Sequence, residues 1–427
     1  MRAPVALALV LSSLALFGCD SLRRGANPEV PLWAKRPGGV LSVARVDPLT
    51  IDSRMVDEPF EKGRPALDVS RARLFVGSSD RGLYAIHAQD GSTLWRFETL
   101  GAVQCEPLYD PAEDVVYFGS HDGSLYKVAA ADGALKWRFM SAAEIERKPV
   151  LDGGTLYFAN ANDTVIAVDP ASGKMKWNQR RAPIGGMSVA GYAGVTVSDG
   201  HVYTAFSDGH VMAYDAKDGA ELWSPVDLSA ESEQSLGSQI PKYFDVDTTP
   251  VVDRIAAGPV VYVASYSSGV FALDADTGVR VWANERATGV TELVLWTQAA
   301  HKPRDGGPTV PARKILMAAS GTTGLWGLEP EEGTEIWRKT LPEGGVSSPV
   351  PIAGAMLVST TRYGLFLFSP LDGGVIDGID MGSGFAMAPA AHGLRAYVVS
   401  NGGSLVQVHV AAPTRGKRTG LAFVPPT

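Results

Sequence analysis

This sequence predicts an all-β fold, an eight-bladed β-propeller of four-stranded antiparallel blades closed by its N-terminal strand. Three observations carry that expectation. A turn ending in Gly is followed four residues later by Trp at six places: Gly91/Trp95, Gly133/Trp137, Gly173/Trp177, Gly219/Trp223, Gly278/Trp282 and Gly333/Trp337. The copies are 40 to 59 residues apart, near the period of a propeller blade. The segments between the turns are short, β-branched or aromatic, and rich in glycine, which totals 47 residues.

The third unit shows how each blade is built. Lys148-Pro-Val150 reads as a short first strand, with 155–159 as the second, 164–168 as the third, and Met175-Lys-Trp177 opening the fourth. The glycine of the turn before each Trp supplies the positive φ that a tight hairpin needs. Trp33, Trp95, Trp137, Trp177, Trp223, Trp282 and Trp337 are expected to wedge each blade against its neighbour, with the indole N–H on a carbonyl. Trp326 sits inside a strand, outside that offset, and is expected to matter less.

In a seventh unit Asp377 stands where the Trp should be, after Asp372-Gly373. An eighth unit has three strands, at 387–389, 396–399 and 404–408, and lacks a fourth. The segment Val30-Pro-Leu-Trp33-Ala-Lys35 is the expected fourth strand, which closes the ring and leaves no open sheet edge. The propeller is thus expected over 30–410, with a tail over 411–427. Two longer polar excursions, 224–249 and 297–313, are where such a ring would carry binding function.

The N-terminus reads as an address. An apolar run over 5–17 follows Arg2 and is too short to span a bilayer as a mature helix. It ends Leu16-Phe-Gly-Cys19, which resembles a bacterial lipobox. Residues 1–18 are therefore read as a signal peptide, Cys19 as the lipidation site, and 19–29 as a lipidated polar tether. Three acyl chains on Cys19 would anchor stably, whereas one is marginal. Asp20 resembles an inner-membrane retention signal, so the choice of membrane stays open.

Composition excludes several functions. With 38 Lys+Arg against 46 Asp+Glu, the net charge of -8 opposes nucleic-acid binding. Two cysteines exclude a disulfide framework and a Cys-rich metal cluster, and Cys105 reads as a core residue. The seven histidines show no metal-site spacing, and Asp274-Ala-Asp276-Thr-Gly278 lacks the remaining ligands of a calcium loop. No catalytic set, no metal and no cofactor are expected.

The segment Ala272-Leu-Asp274-Ala-Asp-Thr277-Gly278-Val-Arg-Val-Trp282 resembles the pyrroloquinoline-quinone-type repeat. Three further features are similar to the BamB family of outer-membrane β-barrel assembly lipoproteins: Asp245-Val-Asp247-Thr-Thr-Pro250-Val-Val252, the Ser347-Ser-Pro-Val350 and Ser383-Gly-Phe385 segments, and the lipobox. The resemblance implies a non-catalytic scaffold, lipid-anchored to the outer membrane on its periplasmic side. Its implied partners are a BamA-like barrel protein and unfolded outer-membrane proteins. It also implies that Asp245, Asp247 and the loop at Val189 contact the barrel partner. Met187-Ser-Val189-Ala190-Gly191 puts Ala190 where the family has arginine, a departure from that docking loop. Asp245 and Asp247 are expected at a rim, as a compact acidic patch, or else as loop-ordering residues. The alternative function is a periplasmic or surface binding propeller outside that machinery. A quinone enzyme is disfavoured, because the Cys-Cys pair of such enzymes is missing.

Overall fold

The structure is a computed structural model that describes residues 39–49, 61–181, 192–228, 245–302, 307–340, 345–362, 364–381 and 384–411. Its strands form eight four-stranded antiparallel sheets. Blade 1 pairs Ala66–Asp68, Arg73–Gly77, Gly82–His87 and Thr93–Glu98 in chain order. Blades 2 to 7 repeat this meander over 108–140, 150–180, 196–227, 251–284, 290–339 and 350–379. The second and third strands are buried almost throughout, while the fourth strands alternate with solvent. That gradient follows from sheets packed face to face around a ring: middle strands are covered on both sides, outer strands are not. The core accordingly divides into clusters that each straddle two blades, such as Tyr262 and Trp282 with Leu316 and Trp326.

The repeated glycine and tryptophan turn out to be one device. Gly133 has φ 74°, and a Cβ there would stand 2.8 Å from the Trp95 ring of the preceding blade. The Trp95 Nε1–H donates to Ala130 O of the same turn at 3.1 Å. The pattern recurs with Trp137 on Pro170 O, Trp177 on Ala216 O, Trp223 on Ala275 O, Trp282 on Pro330 O and Trp337 on Pro370 O, at 2.9–3.3 Å. The turn glycines Gly133, Gly173, Gly219, Gly278, Gly333 and Gly373 thus serve their own hairpins and also leave room for the neighbour's indole.

Blade 8 is closed by an N-terminal strand, as expected, but by a different one. Ala390–His392, Arg395–Val399 and Ser404–Val410 are completed by Leu41–Pro48, which runs antiparallel to Ser404–Val410. The expected strand at 30–35, with Trp33, lies outside the described residues. That expectation rested on a Trp, which the closing strand lacks. Arg45 stands opposite Gln407, the register position that Trp95 holds opposite Ala85. Its Nη1 donates to Gln89 O at 2.5 Å, and its guanidinium reaches the Gly91 turn of blade 1 beside Asp47. At the last joint a charged fork replaces the indole.

Trp326 corrects a second expectation. It is fully buried, its Nε1 donates to Thr323 Oγ1 at 2.9 Å, and Arg338 lies 4.4 Å over its ring. It packs between blades 5 and 6, so its position outside the repeat offset does not make it peripheral.

Candidate functional site: the loop face and the channel mouth

The described connections from one blade's fourth strand to the next blade's first strand supply much of the channel mouth, with Gln104, Glu146, Arg147 and Val346 among them. The Asp245-Val-Asp-Thr-Thr-Pro250 segment is the connection entering blade 5, as the sequence implied. Its side chains fasten blade 4 to blade 5. Thr249 Oγ1 accepts Gly194 N at 3.1 Å, and Thr196 Oγ1 donates to Pro250 O at 2.5 Å. Thr248 Oγ1 donates to Ala264 O at 3.2 Å and accepts Ala264 N at 2.9 Å.

The expected exposed acidic rim is not what the structure shows. Asp245 is 1% exposed and Asp247 7% exposed. Val246 between them belongs to the core cluster of blades 4 and 5. Burial, aided by the neighbouring Asp245 charge, pushes the Asp247 carboxyl up to about 7, against the opposing pull of Arg147. Asp247 Oδ1 is buried and makes no hydrogen bond among the described residues.

Sequence reasoning missed Arg147. Its Nε donates to Tyr192 O at 2.6 Å, its Nη2 to Asp247 O at 2.9 Å, and its Nη1 to Glu292 Oε1 at 3.0 Å. One guanidinium therefore ties the entries of blades 3, 4, 5 and 6 together at the channel mouth. Its fork geometry suits three acceptors at once. Glu292 is 145 residues away, so no local pattern could have announced the pair. A cavity of about 240 Å³ adjoins it, bordered by Lys62, Arg64, Gln104, Arg147, Glu292 and Ser347. Further along the channel, Arg64 and Lys148 both hold Glu106, at 2.8 and 2.6 Å. These ion pairs line the channel wall beside apolar side chains such as Pro107, Val346 and Met387.

Three further residues are named from the sequence. Cys105 is buried, and desolvation pushes its thiol up to about 12, as a core residue requires. Cys19 and Val189, with the rest of 187–191, fall outside the described residues.

A family model described as outer membrane protein assembly factor BamB matches residues 109–295 and 287–413. The chain belongs to the BamB family. Among relatives, the assembly factor BamB of Legionella pneumophila (strain Paris) is 23% identical over 216 residues, 50% of each chain. The chain thus spans about half the length of that relative. The dehydrogenase subunit of a quinone alcohol dehydrogenase from Gluconacetobacter polyoxogenes is 33% identical over 144 residues, 31% of this chain and 18% of that one. The crystal structure of BamB from Moraxella catarrhalis superposes with TM-score 0.66 at 18% identity, covering 87% of this chain and 100% of that one. That likeness supports the propeller assignment.

Proposed function

We propose that this chain is a non-catalytic scaffold of the β-barrel assembly machinery, lipid-anchored through Cys19 and facing the periplasm. The observation that carries this reading is the family match over both halves of an eight-bladed ring. Its partners on this reading are a BamA-like barrel protein and unfolded outer-membrane proteins. The loop face is the proposed docking side. Val189 is a proposed partner contact on this reading. Asp245 and Asp247 act from the buried entry to blade 5.

Among the described residues no helix is long and apolar enough to cross a membrane. Anchoring therefore rests on Cys19 in this proposal. Cys19→Ser is expected to release the folded protein from membranes and abolish fatty-acid labelling. Deleting the gene tests the function: outer-membrane β-barrel proteins should fall and recover on complementation. Unchanged barrel-protein levels, with the protein present in wild type, would refute the assignment.

A further inference from the structure

Three donor side chains converge at the rim between blades 2 and 3. His121 follows Val115–Gly119, the second strand of blade 2. Glu144 and Glu146 lie in the connection leading to Val150–Asp152, the first strand of blade 3. Between them Ile145 is fully buried and packs so closely on Gly119 that no Cβ would fit there. With Ile145 turned into the core, the carboxylates on either side are turned toward His121.

The backbone around them is fixed. Glu144 O accepts Ala161 N at 2.9 Å and the Tyr192 hydroxyl at 3.3 Å, and Glu146 N donates to the same hydroxyl at 2.5 Å. His121 N donates to Ala102 O at 2.9 Å. The three donor atoms, one imidazole nitrogen and two carboxylate oxygens, all lie within 4.8 Å of one another. His121 Nε2 is 3.0 Å from Glu146 Oε1. In a four-coordinate zinc site with bonds of about 2.0–2.2 Å, neighbouring donors stand roughly 3.3–3.6 Å apart. Small side-chain rotations therefore reach that geometry. A hollow of about 430 Å³ opens beside the cluster, bordered by Asp122, Ala143 and Asn162.

We propose that His121, Glu144 and Glu146 bind one divalent transition-metal ion of the zinc class, with a fourth position open to this hollow. The donor set argues for that class. Imidazole selects borderline metals over calcium and magnesium, and the absence of thiolate or thioether donors disfavours copper(I). Two carboxylates and a neutral imidazole also balance a double positive charge. The ion would cross-brace blade 2 to the connection that carries Arg147. Sequence spacing could not show it, because His121 and the two glutamates are 23 and 25 residues apart.

The alternative is a plain His121–Glu146 ion pair, in which Glu144 has no part. Zinc binding to the chelator-stripped full-length protein distinguishes the two. Wild type, His121→Ala and Glu144→Gln are titrated against a chromophoric competitor, and bound metal is counted by atomic emission. The proposal expects one saturable zinc in wild type, a rise in melting temperature on binding, and affinity weakened by about tenfold or more in each variant. It also expects excess calcium or magnesium not to displace the zinc. The metal-free melts of the variants show whether each has folded. No saturable zinc in wild type, the same zinc affinity in folded Glu144→Gln as in wild type, or displacement by calcium would overturn it.

Discussion

Asp377 accepts the backbone N–H groups of Val40 and Leu41, each at 2.8 Å, joining residues 336 positions apart in the case of Leu41. Asp377 stands opposite Leu367, in the register position of the repeated Trp. At six joints that Trp seats on the next blade's third-to-fourth-strand turn. Blade 8 has no such turn, since its fourth strand comes from the other end of the chain. No turn carbonyl is there to receive an indole, but the incoming strand brings unpaired N–H donors. A buried carboxylate is the group that fits.

Removing that acceptor leaves two donors of the closing strand without it. Asp377→Ala is expected to cost about 2–3 kcal/mol, in the range for hydrogen bonds to a charged group. Asp377→Asn, which keeps an oxygen, should cost less. Asp377→Trp, which restores the repeat consensus, should be worse than Asn. Chemical denaturation of the three variants checks this order.

The two kinds of tryptophan should be equally costly to truncate. Trp177 is 8% exposed at a repeat joint, and Trp326 is fully buried outside the repeat. Both Trp177→Ala and Trp326→Ala are expected to lose about 3–5 kcal/mol, the usual range for a large buried aromatic. Paired thermal melts decide it. A loss below about 1 kcal/mol for Trp326→Ala would show that burial misjudges its role.

Asp247 gives a pH dependence with a definite sign. Its folded value of about 7 lies above its ordinary 3.8, so the fold favours the protonated form. That contribution is complete below about pH 4 and is lost as pH rises through 7. Asp247→Asn should therefore match wild type in acid and melt higher at pH 8. Reversing both buried charges, Asp245→Arg with Asp247→Arg, should instead lower the melt by many degrees. Melts from pH 4 to 8 read both.

Cys105 should be chemically silent in the native protein. Burial and its raised thiol value leave almost no thiolate at neutral pH. A thiol reagent should label it only in denaturant. Rapid labelling of the native state would place it at an accessible site.

The ring was readable because it is written locally. A glycine and a Trp four residues later are each visible in one blade, and the fold repeats that pair six times. The closing strand was harder to find, because Arg45 and Asp377 do the work of Trp with different chemistry. Their partners lie at opposite ends of the chain. The aspartates of 245–250 were found as a motif but misplaced to an exposed rim, since only Val246 and the Thr248–Pro250 contacts reveal how deep the segment runs. Arg147 with Glu292, and His121 with Glu144 and Glu146, are assembled by ring geometry across distant sequence, where no spacing rule reaches.

The most direct test of the central claim is affinity isolation of the tagged, lipidated protein from detergent-solubilised cell envelopes, with the barrel-assembly protein quantified by mass spectrometry. The account predicts that a BamA-like protein co-purifies in near-stoichiometric amount and survives washing. A folded, membrane-anchored protein that recovers none of it would contradict the assignment and leave a propeller that binds elsewhere.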